Sequence, residues 1–187
     1  AEATRDTGPD GAATVVVIDE AYAEFRRTGT ASAVTLLPEF GHLAVARTMS
    51  KAFAYAGARV GYLAGAPVLV DALRVVRLPY HLSAVTQAVA RAALAHGAGL
   101  QQQVAQIRQD RDALVSWLRE RGFTAVDSDA NFVLFGLFED RHPIWQGLLD
   151  RGVLIRETGP QQYLRVSIGT PEEMTAFRDA LTEVTGR

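Results

Sequence analysis

The chain holds 18 arginines and a single lysine, Lys51. Arginine can stand in for lysine as a charge, but not as a primary amine that sheds a proton and attacks a carbonyl. Lys51 is therefore the candidate for covalent chemistry, and its neighbours are of matching types. It closes the segment Thr48-Met49-Ser50-Lys51, with Arg59 following after a short interval, while Asp19-Glu20-Ala21-Tyr22 ends an apolar run earlier in the chain. Each of these groups meets one demand of pyridoxal phosphate chemistry. Lys51 would bind the cofactor's aldehyde carbon and shuttle a proton as general base and acid. Asp19 would keep the pyridine nitrogen protonated, which makes the ring an electron sink, and Tyr22 would hydrogen-bond the ring's phenolic oxygen. Thr48 and Ser50 offer hydroxyls and Arg59 a guanidinium fork to a phosphate. Taken singly, Asp19 reads as a turn cap, Tyr22 as a half-buried aromatic and Arg59 as a surface charge; the joint spacing is what points to a site.

Short buried strands with helices between them must position these groups. Thr14 to Ile18 (TVVVI) is a continuous β-branched run, the pattern of a strand buried on both faces, and a carboxylate follows it. Runs at His42 to Arg47 and Val60 to Ala64 read as two more strands, with Thr48 to Lys51 in the loop after the first of them. In open α/β sheets ligands bind beyond the carboxyl ends of the strands, which is where Asp19 and Lys51 would stand. Helical patterns cover Pro67 to Val76, with proline in the first turn, and Ser83 to His96 behind a serine cap. Gly99 to Glu120 reads as a long amphipathic helix that connects to a second unit. That unit reads as strands over 123–126, 131–137, 153–156 and 164–168, with helices over 143–150 and 171–184; Thr170 and Glu173 spell a capping box. Residues 1–13, polar and with Pro9, read as a loop or linker.

Composition narrows the class. With 48% hydrophobic and 21% charged residues and a net charge of −2, the chain reads as globular, without the basic face that nucleic acid requires. The absence of cysteine removes disulfides and thiol nucleophiles, and His42, His81, His96 and His142 lack metal-ligand spacing, so no metal site is expected. No apolar run is long enough to span a bilayer, and no signal-like start is present, so a cytoplasmic location is expected.

The segments DEAYAEF, RTMSKAFAYAGARVGY, RLPYHLSAVTQA, SDANFVLF and YLRVSIGT, in that order from Asp19 onward, resemble the fold-type I aminotransferases. Within that group they are most similar to the histidinol-phosphate aminotransferase family of the class II subfamily, in its actinobacterial form. The resemblance implies an α/β fold: the later part of a pyridoxal-phosphate-binding large domain, mainly parallel sheet with helices, over 14–97; a connecting helix over 98–121; and a small α/β domain over 122–187. It implies that Lys51 is the Schiff-base lysine, that Asp19 and Tyr22 contact the ring, and that Thr48, Ser50 and Arg59 belong to the phosphate cup. It also implies that Arg165, Arg156 and Asn131 approach the substrate. Histidinol phosphate brings a phosphate and glutamate two carboxylates, so one site must accept both anions in turn, which suits paired guanidinium groups. The activity implied is transamination of L-histidinol phosphate with 2-oxoglutarate, giving imidazole acetol phosphate and glutamate in histidine biosynthesis, by a cytoplasmic homodimer.

Family members are roughly twice as long, and their N-terminal half supplies a glycine-rich phosphate loop and the aromatic that stacks on the ring. The chain is accordingly expected to be a C-terminal piece, inactive alone. Two related activities stay open at this level, aromatic-amino-acid transamination and phosphothreonine decarboxylation. A remote third is acyl transfer by Thr48-x-x-Lys51, whose spacing matches the serine enzymes related to β-lactamases but whose other motifs are missing.

Overall fold

The computed structural model describes residues 14–187; the expected loop over 1–13 lies outside the described residues. Two compact units are present. The first holds the described residues through Glu24 together with Thr28–Gln101, and the second holds Phe25–Arg27 and Gln102–Arg187.

In the first unit a three-stranded sheet has the order β1-β2-β3, with β1 Val16–Asp19, β2 Leu43–Thr48 and β3 Gly61–Gly65. Strands β1 and β2 run parallel, with Asp19 opposite Ala46, and β2 and β3 run antiparallel, with Arg47 opposite Tyr62 and Thr48 opposite Gly61. The parallel pair needs a long crossover, here built from 3-10 turns at Ala23–Phe25 and Ala33–Leu36. Leu43, Ala44 and Val45 of β2 are buried. The expected double-sided burial of the first strand is corrected: Val15 and Val17 are 50% and 57% exposed. The cause is missing cover rather than missing pairing: β1 is bonded to β2, but no layer among the described residues shields Val17 or the preceding Val15 from solvent. Helices α1 Pro67–Val76 and α2 Ala84–Ala95 follow; the Ser83 hydroxyl caps α2 by accepting from the Thr86 amide at 3.0 Å.

In the second unit β4 Thr124–Ala125, β5 Phe132–Gly136 and β6 Tyr163–Ser167 form an antiparallel sheet in that order. Helix α3 Gly97–Glu120, from Gln102 onward, and helices α4 His142–Leu149 and α5 Pro171–Thr185 accompany it. The stripe of α3 delivers Leu114, Val115 and Leu118 to a core shared with Val133, Phe135, Leu164, Val166, Phe177 and Leu181. Phe135 meets Phe123, Phe138 and Phe177 edge-on, at centroid distances of 6.2, 5.8 and 5.7 Å. The capping box at α5 forms: the Thr170 amide donates to the Glu173 carboxylate at 2.7 Å and the Glu173 amide to the Thr170 hydroxyl at 3.3 Å.

The strand expected over 153–156 is a single bridge between Arg156 and Arg165. The chain leaves α4 through Gly152 at φ +78°, and Val153 turns its amide back to the Leu148 carbonyl at 2.9 Å, so the segment starts tied to the helix end rather than to the ladder.

At φ +151°, Gly136 ends β5 where a Cβ would run into the Gln162 carbonyl oxygen. Gly136→Ala is therefore expected to destabilise the second unit by about 2 kcal/mol, read as a lowered urea midpoint at unchanged slope.

Candidate active site

The parallel register brings the carboxyl ends of β1 and β2 side by side, so Asp19 and the Thr48–Lys51 loop share one sheet edge. The Thr48 hydroxyl lies 2.9 Å from the Ser50 hydroxyl and accepts from the Ser50 amide at 3.1 Å. Arg59 donates through Nη1 to the Ser50 hydroxyl at 3.4 Å and to the Ala56 carbonyl at 3.0 Å. Two hydroxyls and one guanidinium thus gather at one place. Arg59 does so from a left-handed backbone, φ 54° and ψ 46°, at the end of the 3-10 turn Ala56–Ala58. For a residue with a Cβ that conformation costs about 1–2 kcal/mol. Ala54, at φ 52°, is the other left-handed residue of this loop. Strain of this kind persists where the surroundings over-determine the backbone, and functional sites are where it concentrates.

Lys51 is exposed, and its Nζ lies 5.3 Å from the centroid of the half-buried Tyr22 ring. Asp19 is exposed as well, and its Oδ1 accepts from the Ala21 amide at 2.9 Å, which shapes the turn that carries Tyr22. All six residues singled out for the cofactor, Asp19, Tyr22, Thr48, Ser50, Lys51 and Arg59, lie in the first unit.

Arg156, Arg165 and Asn131 lie in the second unit. Arg156 and Arg165 exchange both backbone hydrogen bonds at 2.9 Å. The Arg165 guanidinium sits 4.7 Å over the Phe132 ring, and its buried Nε has no hydrogen-bond partner. Both arginines line a cavity of about 890 Å³ whose walls also include Trp145, Ile155, Glu173 and Met174. Asn131, half-buried, accepts from the Ile168 amide through its backbone carbonyl at 2.9 Å.

Sequence reasoning passed over three charged side chains. Glu20 and Arg47, each one residue from a singled-out position, form an ion pair at 2.7 Å. Arg111 is fully buried in the second unit, where its Nη1 donates to the carbonyls of Phe25 at 2.5 Å and Ala130 at 3.2 Å. The period-two alternation of strands was a usable signal for the pair; a lone arginine on an amphipathic helix carried none for Arg111.

The family model for aminotransferase class I and II matches residues 11–181. The chain belongs to the class I and II aminotransferases. Within this family it is 64% identical over 173 residues to a histidinol-phosphate aminotransferase of Thermobifida fusca, covering 92% of this chain and 47% of that relative. It is also 64% identical over 175 residues to one from Burkholderia lata, covering 94% and 47%. Among solved structures it resembles the histidinol-phosphate aminotransferase of Sinorhizobium meliloti in complex with pyridoxal-5'-phosphate: TM-score 0.80, 29% identity, 94% of this chain and 49% of that one. The chain spans about half the length of the curated relatives it matches. Membership of the aminotransferases removes the acyl-transfer alternative for Thr48. No helix among the described residues is long and apolar enough to cross a membrane.

Proposed function

We propose that this chain carries the lysine-bearing and substrate-anion segments of a pyridoxal-phosphate-dependent histidinol-phosphate aminotransferase. The complete enzyme, a cytoplasmic homodimer in this reading, moves an amine between L-histidinol phosphate and 2-oxoglutarate in histidine biosynthesis. Residues 14–97 then belong to its cofactor-binding domain, 98–121 to the connecting helix and 122–187 to the small domain. The observation that carries the reading is the placement of the one lysine beside Tyr22, at the strand edge where Thr48, Ser50 and Arg59 gather. Identity of 64% to named histidinol-phosphate aminotransferases supports this substrate over an aromatic amino acid.

The donor set fits the cofactor. Two hydroxyls and a guanidinium suit a phosphate dianion, a carboxylate suits a protonated ring nitrogen, and an exposed amine suits an aldehyde. When bound, the cofactor supplies an electron sink for the charge left at the substrate's α-carbon. Thr48, Ser50 and Arg59 hold the phosphate and so fix the ring's position. Asp19 keeps a proton on the ring nitrogen, and the Tyr22 hydroxyl donates to the ring's phenolic oxygen. Lys51 Nζ would take the proton from the substrate's α-carbon as general base and give it back as general acid on the cofactor side of the linking nitrogen. Arg165 and Arg156 hold the substrate's anionic end, with Asn131 alongside; the unsatisfied Arg165 Nε supports that role.

Reductive labelling tests the reading. Lys51 is the chain's one side-chain amine, and the chain's α-amine serves as an internal reference. Borohydride treatment with pyridoxal phosphate is expected to label Lys51 in preference to the α-amine by about tenfold, with the preference lost in urea, for pyridoxal lacking the phosphate, or with excess inorganic phosphate. Equal labelling of the two amines in the folded chain would sink it.

A further inference from the structure

Glu20 and Arg47 stand one residue from Asp19 and Thr48, and the pleat turns them the other way. Successive side chains of a strand point to opposite faces, and the register sets Asp19 opposite Ala46. Asp19, Ala46 and Thr48 therefore share one face, while Arg47 and its partner across the antiparallel ladder, Tyr62, share the other. Glu20 follows β1 directly, with its amide on the Ala46 carbonyl at 2.8 Å, the last rung before the strands part.

Beneath that rung is a tight polar cluster. Oε2 of Glu20 accepts from Arg47 Nε at 3.0 Å and Nη2 at 2.7 Å, and from the Ser32 hydroxyl at 2.8 Å. Its Oε1 accepts from the Ala33 amide at 2.6 Å. Arg47 Nη2 also donates to the Ser32 hydroxyl at 2.8 Å, and Nη1 lies 3.7 Å from Glu24. The Glu20 and Arg47 side chains are 12% and 18% exposed, which takes the pair out of the class of weak surface bridges. Burial alone pushes the Glu20 carboxyl up, but the Ala33 amide, the Ser32 hydroxyl and Arg47 together outweigh it and hold the carboxyl below its usual range. Burial likewise pulls Arg47 down, and Glu20 and Tyr62 more than restore it. Both groups are thus charged at neutral pH. Only a guanidinium reaches Glu20, Ser32 and Glu24 at once, so lysine is no equivalent here.

We propose that Glu20 and Arg47 are positioning residues, whose ion pair clamps the carboxyl ends of β1 and β2 from the reverse face and thereby sets Asp19 against Thr48, Ser50 and Lys51 for a phosphorylated pyridine aldehyde. This rests on the cofactor reading above. A one-residue slip between the strands would turn Asp19 away from the Thr48 face altogether, and short strand ends fray unless something beyond the ladder ties them. The cluster is that tie.

Glu20→Gln keeps the shape of the side chain and removes its charge; Arg47→Lys keeps the charge and removes the fork. The first readout needs no cofactor: amide hydrogen exchange at Glu20, at the end of the ladder, against Val16, whose amide bonds the His42 carbonyl at its start. The second is the preference of pyridoxal phosphate for Lys51 over the α-amine under borohydride. In both variants Glu20 exchange is expected to quicken about tenfold while Val16 stays as in the parent chain, and the Lys51 preference to fall about as much, with Arg47→Lys the milder. Unchanged Glu20 exchange overturns the clamp. Quickened exchange with undiminished preference overturns the positioning role and leaves a structural bridge only. A parent chain without any Lys51 preference sinks the cofactor reading and this inference with it, an outcome distinct from the first because exchange is measured without cofactor. Should Glu20→Gln unfold, seen as equal loss of protection at Val16, Arg47→Lys decides by the same criteria.

Discussion

Lys51→Arg is expected to abolish covalent capture of pyridoxal phosphate by the side chains of this protein while leaving its fold intact. Lys51 is exposed, and its contact with the Tyr22 ring, at 5.3 Å, is of a kind that arginine can also make. Stability should therefore change by no more than about 0.5 kcal/mol, as for an ordinary surface substitution. The chemistry has no such tolerance. A guanidinium stays protonated at any working pH and cannot act as the amine nucleophile or as the proton carrier. Mass analysis after borohydride should find label on the α-amine alone. In enzyme reconstituted with the remaining length of its relatives, turnover should fall by about a thousandfold or more. Retained side-chain label in the arginine variant would refute the assignment, and coincident urea transitions for the two proteins would show that chemistry alone was lost.

Arg111→Ala carries the largest expected cost in stability. This guanidinium is fully buried, its Nη1 serves the carbonyls of Phe25 and Ala130, and its Nε donates to the largely exposed Asp112 carboxylate at 2.9 Å. Truncation leaves two carbonyls short of a charged donor and opens a void beside Phe25. A loss of about 3–4 kcal/mol follows, from hydrogen bonds to a charged group and the cost of orphaned buried acceptors. Arg111→Met, which refills the void but not the hydrogen bonds, should recover about 1 kcal/mol of it. Urea denaturation followed by Trp117 and Trp145 fluorescence measures both, and equal midpoints for the parent and alanine chains would refute the account.

Much of the candidate site was legible because its residues are chemically uncommon in this chain. One lysine among 18 arginines drew the eye to Lys51, and the apolar runs before Asp19 and Thr48 were enough to place both at strand ends. The elements were legible where periodicity and helix-start signals agree, as in α1 with proline in its first turn, in α2 behind Ser83 and in α5 behind its capping box. What failed depended on neighbours. A β-branched run reads as buried whether or not a second layer covers it, so the exposure of Val17 in β1 and of Val15 just before it went unforeseen. The run at 153–156 had strand composition, but the left-handed turn at Gly152 left it a single bridge. Glu20, Arg47 and Arg111 look like ordinary surface charges until tertiary contacts bury them.

The segment Phe25–Arg27 belongs to the second unit although the residues on both sides of it belong to the first. Phe25 is 1% exposed, and the Arg27 amide and side chain both donate to the Asp129 carboxylate, at 2.7 and 3.2 Å. In the language of modular exchange, the second unit is therefore not a cassette. A cut at residue 102 would release a polypeptide without Phe25 and leave Arg111 and Asp129 facing a gap, so a graft between relatives has to import a three-residue patch from a distant stretch of sequence. Recombination that respects the linear boundary alone would separate pieces that fold as one.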